Sequence, residues 1–283
     1  MGLRPVGTAR ARPAEKEKNT SMMNEPNEQT PPPVARKSRW GTFFRAIAIV
    51  VVLVLAAGVA FLNTPYAGDA LNYASNAWDN LFSREAELQA GADLEALGAL
   101  VVYRTGTGSV ESVNYQGRVL EESDLVPLMS LNRLLLLDLR NTNVTDDDLK
   151  YLKNLSNLAT LVLSGTAITD EGMTHLVRLK YLEALHLTET AVSDPGLAHL
   201  KKLSNLAVLD LSETEVTDEG LQHLVGLAKL RWLLLSGTEV TDRGLETLAA
   251  MKDLRRLTVE NTGVTPEGIG QLEKAVPGIA IDR

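Results

Sequence analysis

The amino-acid sequence predicts an α/β solenoid, a stack of coils in which short parallel strands alternate with short helices, preceded by one N-terminal transmembrane helix. Two observations lead to this prediction. From Leu131 onward, residues of matching size return every 24 positions, and each interval contains an alternating strand segment followed by a helical stripe of leucines. Upstream, residues 46–62 form an unbroken apolar run. A chain of 283 residues has room for one or two domains.

Residues 1–39 are predicted to be a disordered cytoplasmic tail. Three consecutive prolines, Pro31 to Pro33, fit neither a helix interior nor a central strand. Most of the neighbouring residues are polar or charged, and they offer little apolar surface from which a core could form. We therefore expect this segment to have no fold of its own.

Residues 40–62 are predicted to be a transmembrane signal anchor. Together with Phe43 and Phe44, the apolar run approaches the roughly 20 residues that span a hydrocarbon core, so we expect residues 43–62 to contact the lipid bilayer. A cleaved signal peptide is the alternative, although its charged N-terminal region would then be about 45 residues long, far more than is usual.

Charge on either side of this run predicts its orientation. Four cations precede the run, whereas the first charge after it is Asp69. By the positive-inside rule, the N-terminus lies in the cytoplasm and the repeats lie outside it, in the periplasm or at the cell surface. The four cations are Arg36, Lys37, Arg39 and Arg45.

Residues 63–98 are predicted to be a helical stalk and an N-terminal cap. We expect Gly91 to interrupt the stalk helix and a second short helix, residues 92–97, to cover the end of the repeats. The apolar face of the stalk suits a membrane-surface or self-association helix, or else a connector that packs on the next domain. That face contains Leu71, Ala74, Trp78, Leu81 and Phe82 at helical spacing.

Seven apolar positions recur in each 24-residue copy. In the six copies that begin at Leu134, all 42 of these positions are apolar, and Met251 and Ala275 fit the leucine pattern least well. The first copy fills them with Leu134, Leu137, Leu139, Val144, Leu149, Leu152 and Leu155. A degenerate seventh copy lies upstream, with Val110, Val113, Tyr115, Leu120, Leu125, Leu128 and Leu131.

These copies resemble the leucine-rich repeat family, whose signature is L-x-x-L-x-L-x-x-N/C-x-L over 20–29 residues. The resemblance covers residues 107–275. Threonine stands where the family usually has Asn or Cys, and this variant, followed by V-T-D-x-G-L, resembles bacterial repeats related to the cysteine-containing class of F-box proteins. The resemblance implies a leucine-rich-repeat solenoid with a repeat domain over residues 99–275 and a C-terminal cap over residues 276–283.

The physical pattern within one copy agrees with that fold. Leu209 and Leu211 point one way and Val208, Asp210 and Ser212 the other, which predicts a short strand with one buried face. Three leucines at three-residue spacing, Leu221, Leu224 and Leu227, predict an α or 3₁₀ helix with one apolar stripe. Stacked copies bury both stripes, so we expect parallel strands on the concave side and short helices on the convex side.

Threonine, aspartate and glycine also recur at fixed positions. Thr217 and Asp218 offer side-chain oxygens to the free N–H groups at a helix start, and we expect Gly220 and its equivalents to allow close packing. A ladder of six threonines follows the strands, and each hydroxyl is expected to donate to a carbonyl of the neighbouring coil. The ladder consists of Thr142, Thr166, Thr190, Thr214, Thr238 and Thr262.

Several functional classes are excluded or disfavoured. The chain has no cysteine, which excludes a disulfide scaffold and a thiolate metal site. Residues 63–283 carry a net charge of −13, so we expect no nucleic-acid partner. No nucleophile elbow, phosphate loop or paired-carboxylate motif appears, and we expect no enzymatic activity, no cofactor and no small-molecule substrate. The recurring His175, His199 and His223 fit half-exposed convex positions better than a metal ladder.

The concave face is the expected binding surface, because solenoids bind partners there. Trp232 is the only tryptophan among the repeats, and its apolar and charged neighbours are typical of a protein-contact anchor; the alternative is that it packs flat and serves stability. His186 differs from the other histidines because it occupies a concave strand position. The predicted protein-binding residues are Trp232, Leu234, His186, Asp210, Val208 and Arg256.

The predicted function is therefore non-enzymatic binding of another protein by a repeat domain that a single-pass anchor displays outside the cytoplasm. One alternative is a cell-envelope scaffold that self-associates through the stalk. The other is a substrate-recruiting adaptor of the F-box type, which would need a helical domain where the apolar run stands.

Overall fold

The computed structural model describes residues 83–283. The predicted tail, the predicted transmembrane anchor and the first part of the predicted stalk lie outside the described residues. Within residues 83–283, no helix combines the length and the apolar composition needed to cross a bilayer.

One nine-stranded sheet runs through the described part, and its strands follow one another in sequence order. The first two strands pair antiparallel, and every later strand pairs parallel with the one before it. The strands are β1 (Leu100–Tyr103), β2 (Val110–Asn114), β3 (Leu136–Asp138), β4 (Thr160–Val162), β5 (Ala184–His186), β6 (Val208–Asp210), β7 (Trp232–Leu234), β8 (Arg256–Thr258) and β9 (Ala280–Asp282).

Helical segments connect the parallel strands. Three of them are 3₁₀ helices, at Val126–Ser130, Asp146–Asn154 and Ala198–Lys202, so the coils use both helix types that leucines at three-residue spacing allow. The α-helices are α1 (residues 83–96), α2 (Glu122–Leu125), α3 (Asp170–Leu176), α4 (Asp194–Leu197), α5 (Asp218–Leu221), α6 (Asp242–Leu248) and α7 (Pro266–Ala275).

Strand register aligns equivalent positions of successive copies. Leu137 faces Leu161, which in turn faces Leu185, and this 24-residue offset continues to the pairing of Leu233 with Leu257. Because the middle residue of each strand points into the stack, identical leucines fill identical places in neighbouring coils. The predicted α/β repeat fold with a parallel sheet is confirmed.

The core is the continuous ribbon that the repeat predicts. Forty of the 42 apolar positions are buried, and the two exceptions, Val264 and Ala275, are partly buried in the last copy. All seven positions of the degenerate upstream copy are buried as well. Each large side chain contributes about 1.5–3 kcal/mol by leaving water, before conformational entropy is subtracted, so the ribbon dominates the stability of the coils.

The threonine ladder is structural, but its predicted bonding partner is wrong. Each hydroxyl donates to the carbonyl three residues earlier in its own coil, not to a neighbouring coil; Thr214 Oγ1, for example, lies 2.5 Å from the Leu211 carbonyl oxygen. The bond closes the tight turn that leaves the strand. Five of the six threonines are buried, and Thr262, in the last copy, is partly exposed.

An aspartate ladder, absent from the predictions, joins the coils where each helix begins. Asp194 accepts hydrogen bonds from the backbone N–H and the hydroxyl of Thr217 in the next coil, at 2.8 and 2.6 Å. The Thr217 hydroxyl also accepts from the Glu219 N–H, as predicted for a helix cap. Gly220 lies against the same Asp194 carboxylate, where a Cβ atom would collide with it. Asp146, Asp170, Asp218 and Asp242 repeat this arrangement.

Helix α1 covers the N-terminal end of the ribbon, and the predicted break at Gly91 is wrong. The helix continues through Gly91, because the missing side chain lets it approach the hydroxyl of Tyr103, which a Cβ would meet at 2.8 Å. Leu94 of this helix is fully buried and is part of the core. Glu87 is also buried, and its carboxylate accepts a hydrogen bond of 3.1 Å from the Val110 N–H.

Candidate functional site

The open face of the sheet is formed by the first and last residues of each three-residue strand, since the middle residue is buried. Two rows of side chains therefore run across the strands. The first row is Leu136, Thr160, Ala184, Val208, Trp232 and Arg256, and the second row is Asp138, Val162, His186, Asp210, Leu234 and Thr258. All six predicted binding residues lie in these two rows.

Trp232 forms the apolar centre of the first row. Its side chain is 50% exposed, the largest exposed fraction of any apolar side chain on β3–β8. Strand register places it between Val208 and Arg256. The Arg256 Nη2 atom lies 2.9 Å from Asp282 Oδ2, so an ion pair orients the guanidinium on the strand next to Trp232. The structure thus combines an exposed aromatic ring with an oriented cation.

His186, Asp210 and Leu234 are consecutive in the second row. The His186 Nδ1 and Asp210 Oδ2 atoms are 3.7 Å apart. Burial raises the pKa of Asp210, but the nearby His186 side chain and the hydrogen bond from the Ser212 N–H together lower it by more, so the net pKa lies below its ordinary value. The carboxylate stays charged, half-buried and available at the floor of the face.

A second ion pair lies at the β3 end of the open face. The sequence analysis did not single it out. Asp138 is only 4% exposed, and its two oxygens hold Arg140 Nε at 2.9 Å and Arg140 Nη2 at 2.8 Å. This bidentate contact raises the pKa of the Arg140 guanidinium. The spacing D-x-R is the only sequence signal for it: Asp138 ends β3, and Arg140 follows two residues later in the turn, so both side chains lie on the same side of the chain.

A shallow depression of about 690 Å³ lies at the C-terminal strands of the sheet, where Leu234 and Arg256 form part of its wall. Its wall is mostly polar and carries both charges. The lining residues include Leu234, Arg256, Thr258, Glu260 and Asp282. The depression is open to solvent, and this shape suits a protruding side chain of a partner better than an enclosed substrate.

The other histidines occupy a different surface. His175, His199 and His223 lie in or next to the helical segments that follow the strands, and all three are partly exposed. No group of three or more His, Cys, Asp or Glu side chains within residues 83–283 is arranged to hold a metal ion.

Comparison with known proteins identifies the repeats and similar folds. A family profile described as "Leucine Rich repeat" matches residues 154–177 and 202–225. The crystal structure of an internalin, inlF, of Listeria monocytogenes is 21% identical, with a TM-score of 0.52, over 61% of this chain and 47% of that one. The crystal structure of internalin C2, inlC2, of the same organism is 23% identical, with a TM-score of 0.50, over 69% of this chain and 81% of that one.

These similarities concern the fold. At 21% and 23% identity they carry no information on partners, and this chain spans only about half the length of the inlF structure. A comparison with curated protein sequences finds no match.

Proposed function

We propose that this chain, a leucine-rich repeat protein, binds another protein through the open face of its sheet, with Trp232 as the central anchor. The single observation that carries the proposal is the half-exposed Trp232 ring on a sheet whose equivalent positions hold mostly smaller side chains. Tryptophan is the residue most often found to dominate protein interfaces.

The surroundings of Trp232 match the anatomy of such an interface. Val208 and Leu234 extend the apolar centre, whereas Arg256 and Asp210 supply charges at its border. Arg256 is oriented by Asp282 and Asp210 by Ser212, so a partner meets groups that are already ordered. Preordered groups lose little conformational entropy on binding, which favours affinity.

The partner that fits this surface presents an apolar side chain to Trp232 and groups of both charges around it. Arg256 can accept a carboxylate beside its ion pair with Asp282, and the depression next to it can take a protruding side chain. This surface supports recognition without chemistry, because His186 and Asp210 lie in an open sheet face and not in an enclosed pocket.

We also propose that the repeat domain is displayed outside the cytoplasm on a single-pass anchor formed by residues 40–62. The apolar run at residues 46–62 and the four cations before it support this topology. The partner would then be a protein of the periplasm or cell surface.

Binding is tested by photo-crosslinking in the native cell, with the full chain carrying a photoreactive residue at Thr160 or Arg256 on the open face. We expect both positions to capture the same protein and a photoreactive residue at Gln222, an exposed helix-side position, to miss it. The captured protein, once purified, should bind Trp232→Ala at least about tenfold more weakly than wild type, the effect typical of an interface anchor.

Tyr181→Ala is the matched control, because Tyr181 is an exposed aromatic residue, 62% exposed, that lies off the open face. Its affinity should equal that of the wild type. Equal affinities of Trp232→Ala and wild type for the captured protein would refute the anchor.

The topology is tested separately by adding protease to intact spheroplasts of cells that express the full chain. The repeat domain should be digested together with a periplasmic control protein, while a cytoplasmic control stays intact. Survival of the repeats under these conditions would contradict the extracytoplasmic display. It would not affect the binding proposal, which the crosslinking experiment tests separately.

A further inference from the structure

The two lateral edges of the coil stack carry opposite charges. We define the basic edge as the seven residues before each of strands β3–β9; it holds 11 Lys or Arg and three Asp or Glu. We define the acidic edge as the ten residues after each of strands β3–β8; it holds 15 Asp or Glu and two Arg. The domain is therefore polarised across its width although its net charge is negative.

Within residues 83–283, these charges are hardly neutralised by one another. On the basic edge only Arg255 forms an ion pair, and its partner Asp253 lies on the same edge. On the acidic edge Glu219 is the only carboxylate that does so, 3.9 Å from Arg243 of the same edge, and Arg140 pairs with Asp138 at the end of β3. Eight of the eleven cations of the basic edge are exposed and form neither an ion pair nor a side-chain hydrogen bond with a described residue; Arg178, Lys180, Lys201, Lys202 and Arg231 are among them.

Both edges are held in place by contacts between coils. On the basic edge, the Asn205 side chain donates to the Lys180 carbonyl at 2.7 Å and accepts from Lys229 Nζ at 2.7 Å. On the acidic edge, Glu215 forms a parallel bridge with Ser193 of the preceding coil. The charged rows are thus ordered surfaces with a fixed spacing.

Two glutamates of the acidic edge occupy a backbone conformation that disfavours them. The turn after each strand has a positive φ, and four of the six coils place Asn or Gly there, residues that tolerate it. Glu189 and Glu213 have φ of 56° and 55° at the same turn. Glu213 also presses its carboxylate against Gly237 of the next coil. The local backbone does not favour glutamate there, so the side-chain charge, and not the turn conformation, distinguishes these two positions.

We infer that the basic edge of one copy of this chain docks on the acidic edge of a second copy. Both edges derive from the same 24-residue repeat and share the same strand spacing of about 4.8 Å, so a sideways shift of one copy sets each cationic coil opposite an anionic coil. The contact joins two different surfaces, and each copy keeps one free edge. Such heterologous contacts extend into rows instead of closing as dimers.

An anionic membrane or polymer is the competing occupant of the basic edge. It would leave the acidic edge without a function, and the negative net charge of residues 63–283 would oppose it at longer range. A second copy uses both edges at once. The open face of the sheet lies between the two edges, so a row of copies would keep Trp232 accessible.

The first experiment exchanges the charges of the two edges in the full chain, purified in a nonionic detergent and followed by sedimentation velocity. The basic-edge variant combines Arg178→Glu, Lys180→Glu, Lys201→Glu and Lys202→Glu. The acidic-edge variant combines Glu189→Lys, Glu213→Lys, Glu215→Lys and Glu239→Lys. Wild type should form larger species as concentration rises in low salt and lose them near 1 M salt, where screening acts within about 3 Å.

Each variant alone should lose this salt-sensitive assembly, because its two edges now repel, and an equimolar mixture should regain it. The charge-preserving control, with Arg178→Lys, Lys180→Arg, Lys201→Arg and Lys202→Arg, should assemble like wild type. The inference would be overturned if neither exchange changed the assembly, which is the result expected from association through the stalk alone. It would also be overturned if wild type showed no salt-sensitive assembly at any concentration.

The second experiment uses the absence of cysteine from the chain. Full-length Lys201→Cys and Glu215→Cys proteins are treated with a flexible bismaleimide, separately and mixed. Dimers should form strongly in the mixture and weakly in either protein alone, since unlike edges meet. Equal yields in all three samples would contradict the docking.

A third experiment measures binding to phosphatidylglycerol vesicles. If the basic-edge variant loses vesicle binding while the exchanges leave assembly unchanged, the basic edge binds lipid and not a second copy.

Discussion

The interior ribbon and the open face of the sheet alternate along every strand, yet they differ in how strictly they repeat. Inside, the equivalents of Leu137 are leucine in every strand from β3 to β8, and all are fully buried. Outside, the equivalents of Leu136 are threonine, alanine, valine, tryptophan and arginine. Neighbouring residues thus obey opposite rules within one three-residue strand.

Packing explains the difference. Each interior side chain contacts its equivalents in the coils before and after it, so a change of volume in one coil disturbs two others. An outward side chain meets solvent on one side and tolerates any residue that the strand accepts. The repeat therefore fixes the scaffold and leaves the open face free to carry a recognition surface.

Substituting neighbouring leucines of β3 gives the sharpest test of this contrast and the largest expected effect. Leu137→Ala removes a fully buried side chain and should lower the free energy of unfolding by about 2–5 kcal/mol, because it leaves a cavity between coils. Leu136→Ala, at a position that is 36% exposed, should cost less than about 1 kcal/mol. Denaturant unfolding of the full-length proteins, followed by circular dichroism, measures both; equal losses would contradict the comparison.

A second pair of variants tests whether the contact between coils at the aspartate ladder tolerates an added side chain as poorly as the interior does. Gly220→Ala places a methyl group against the Asp194 carboxylate of the preceding coil and should cost about 1–3 kcal/mol through the forced shift. Gly226→Ala, in the same copy, meets no atom within 4 Å and serves as the control. The same unfolding assay should show a near-zero effect for Gly226→Ala, and a similarly small effect of Gly220→Ala would show that the coils adjust freely.

The sequence predicted the interior of the fold because the buried positions are marked by residue type alone. Every one of the seven positions per copy needs only to be apolar, and the period itself reveals the stack. The sequence did not predict that the threonine hydroxyls bond within their own coil, that Asp194 reaches Thr217 in the next coil, or that α1 continues through Gly91. These features depend on distances between segments, which a pattern of residue types does not contain.

The sequence predicted which residues of the candidate site share a face, but not how their side chains are oriented. Alternation within strands placed Trp232, His186 and Asp210 on one face, and register places them in neighbouring strands. The ion pairs that orient this face, Arg256 with Asp282 and Arg140 with Asp138, depend on side-chain rotamers and on neighbouring coils, so a pattern of residue types does not predict them. Whether the face binds a protein stays a prediction.

A threonine pair extends the comparison to hydrogen bonding, with a smaller effect. Thr214→Val removes the hydroxyl that satisfies the buried Leu211 carbonyl and should cost about 1–2 kcal/mol, since the carbonyl is left without that donor. Thr160→Val changes the same residue type on the open face, where the side chain is partly exposed, and should leave stability within about 0.5 kcal/mol. If the two variants unfold at the same denaturant concentration, the turn-closing role of the threonine ladder is wrong.

The smallest expected effect concerns the charge at the floor of the open face. The folded protein holds the pKa of Asp210 below its ordinary value, so this carboxylate stabilises the fold above the unfolded pKa of about 3.9. That contribution is lost as pH falls through the lower, folded pKa. Wild type should therefore lose stability more steeply than Asp210→Asn below about pH 4. His186→Leu, which removes the imidazole 3.7 Å from the Asp210 carboxylate, should show an intermediate slope in unfolding measured against pH. Parallel curves for all three proteins would mean that Asp210 titrates alike in the folded and unfolded chain.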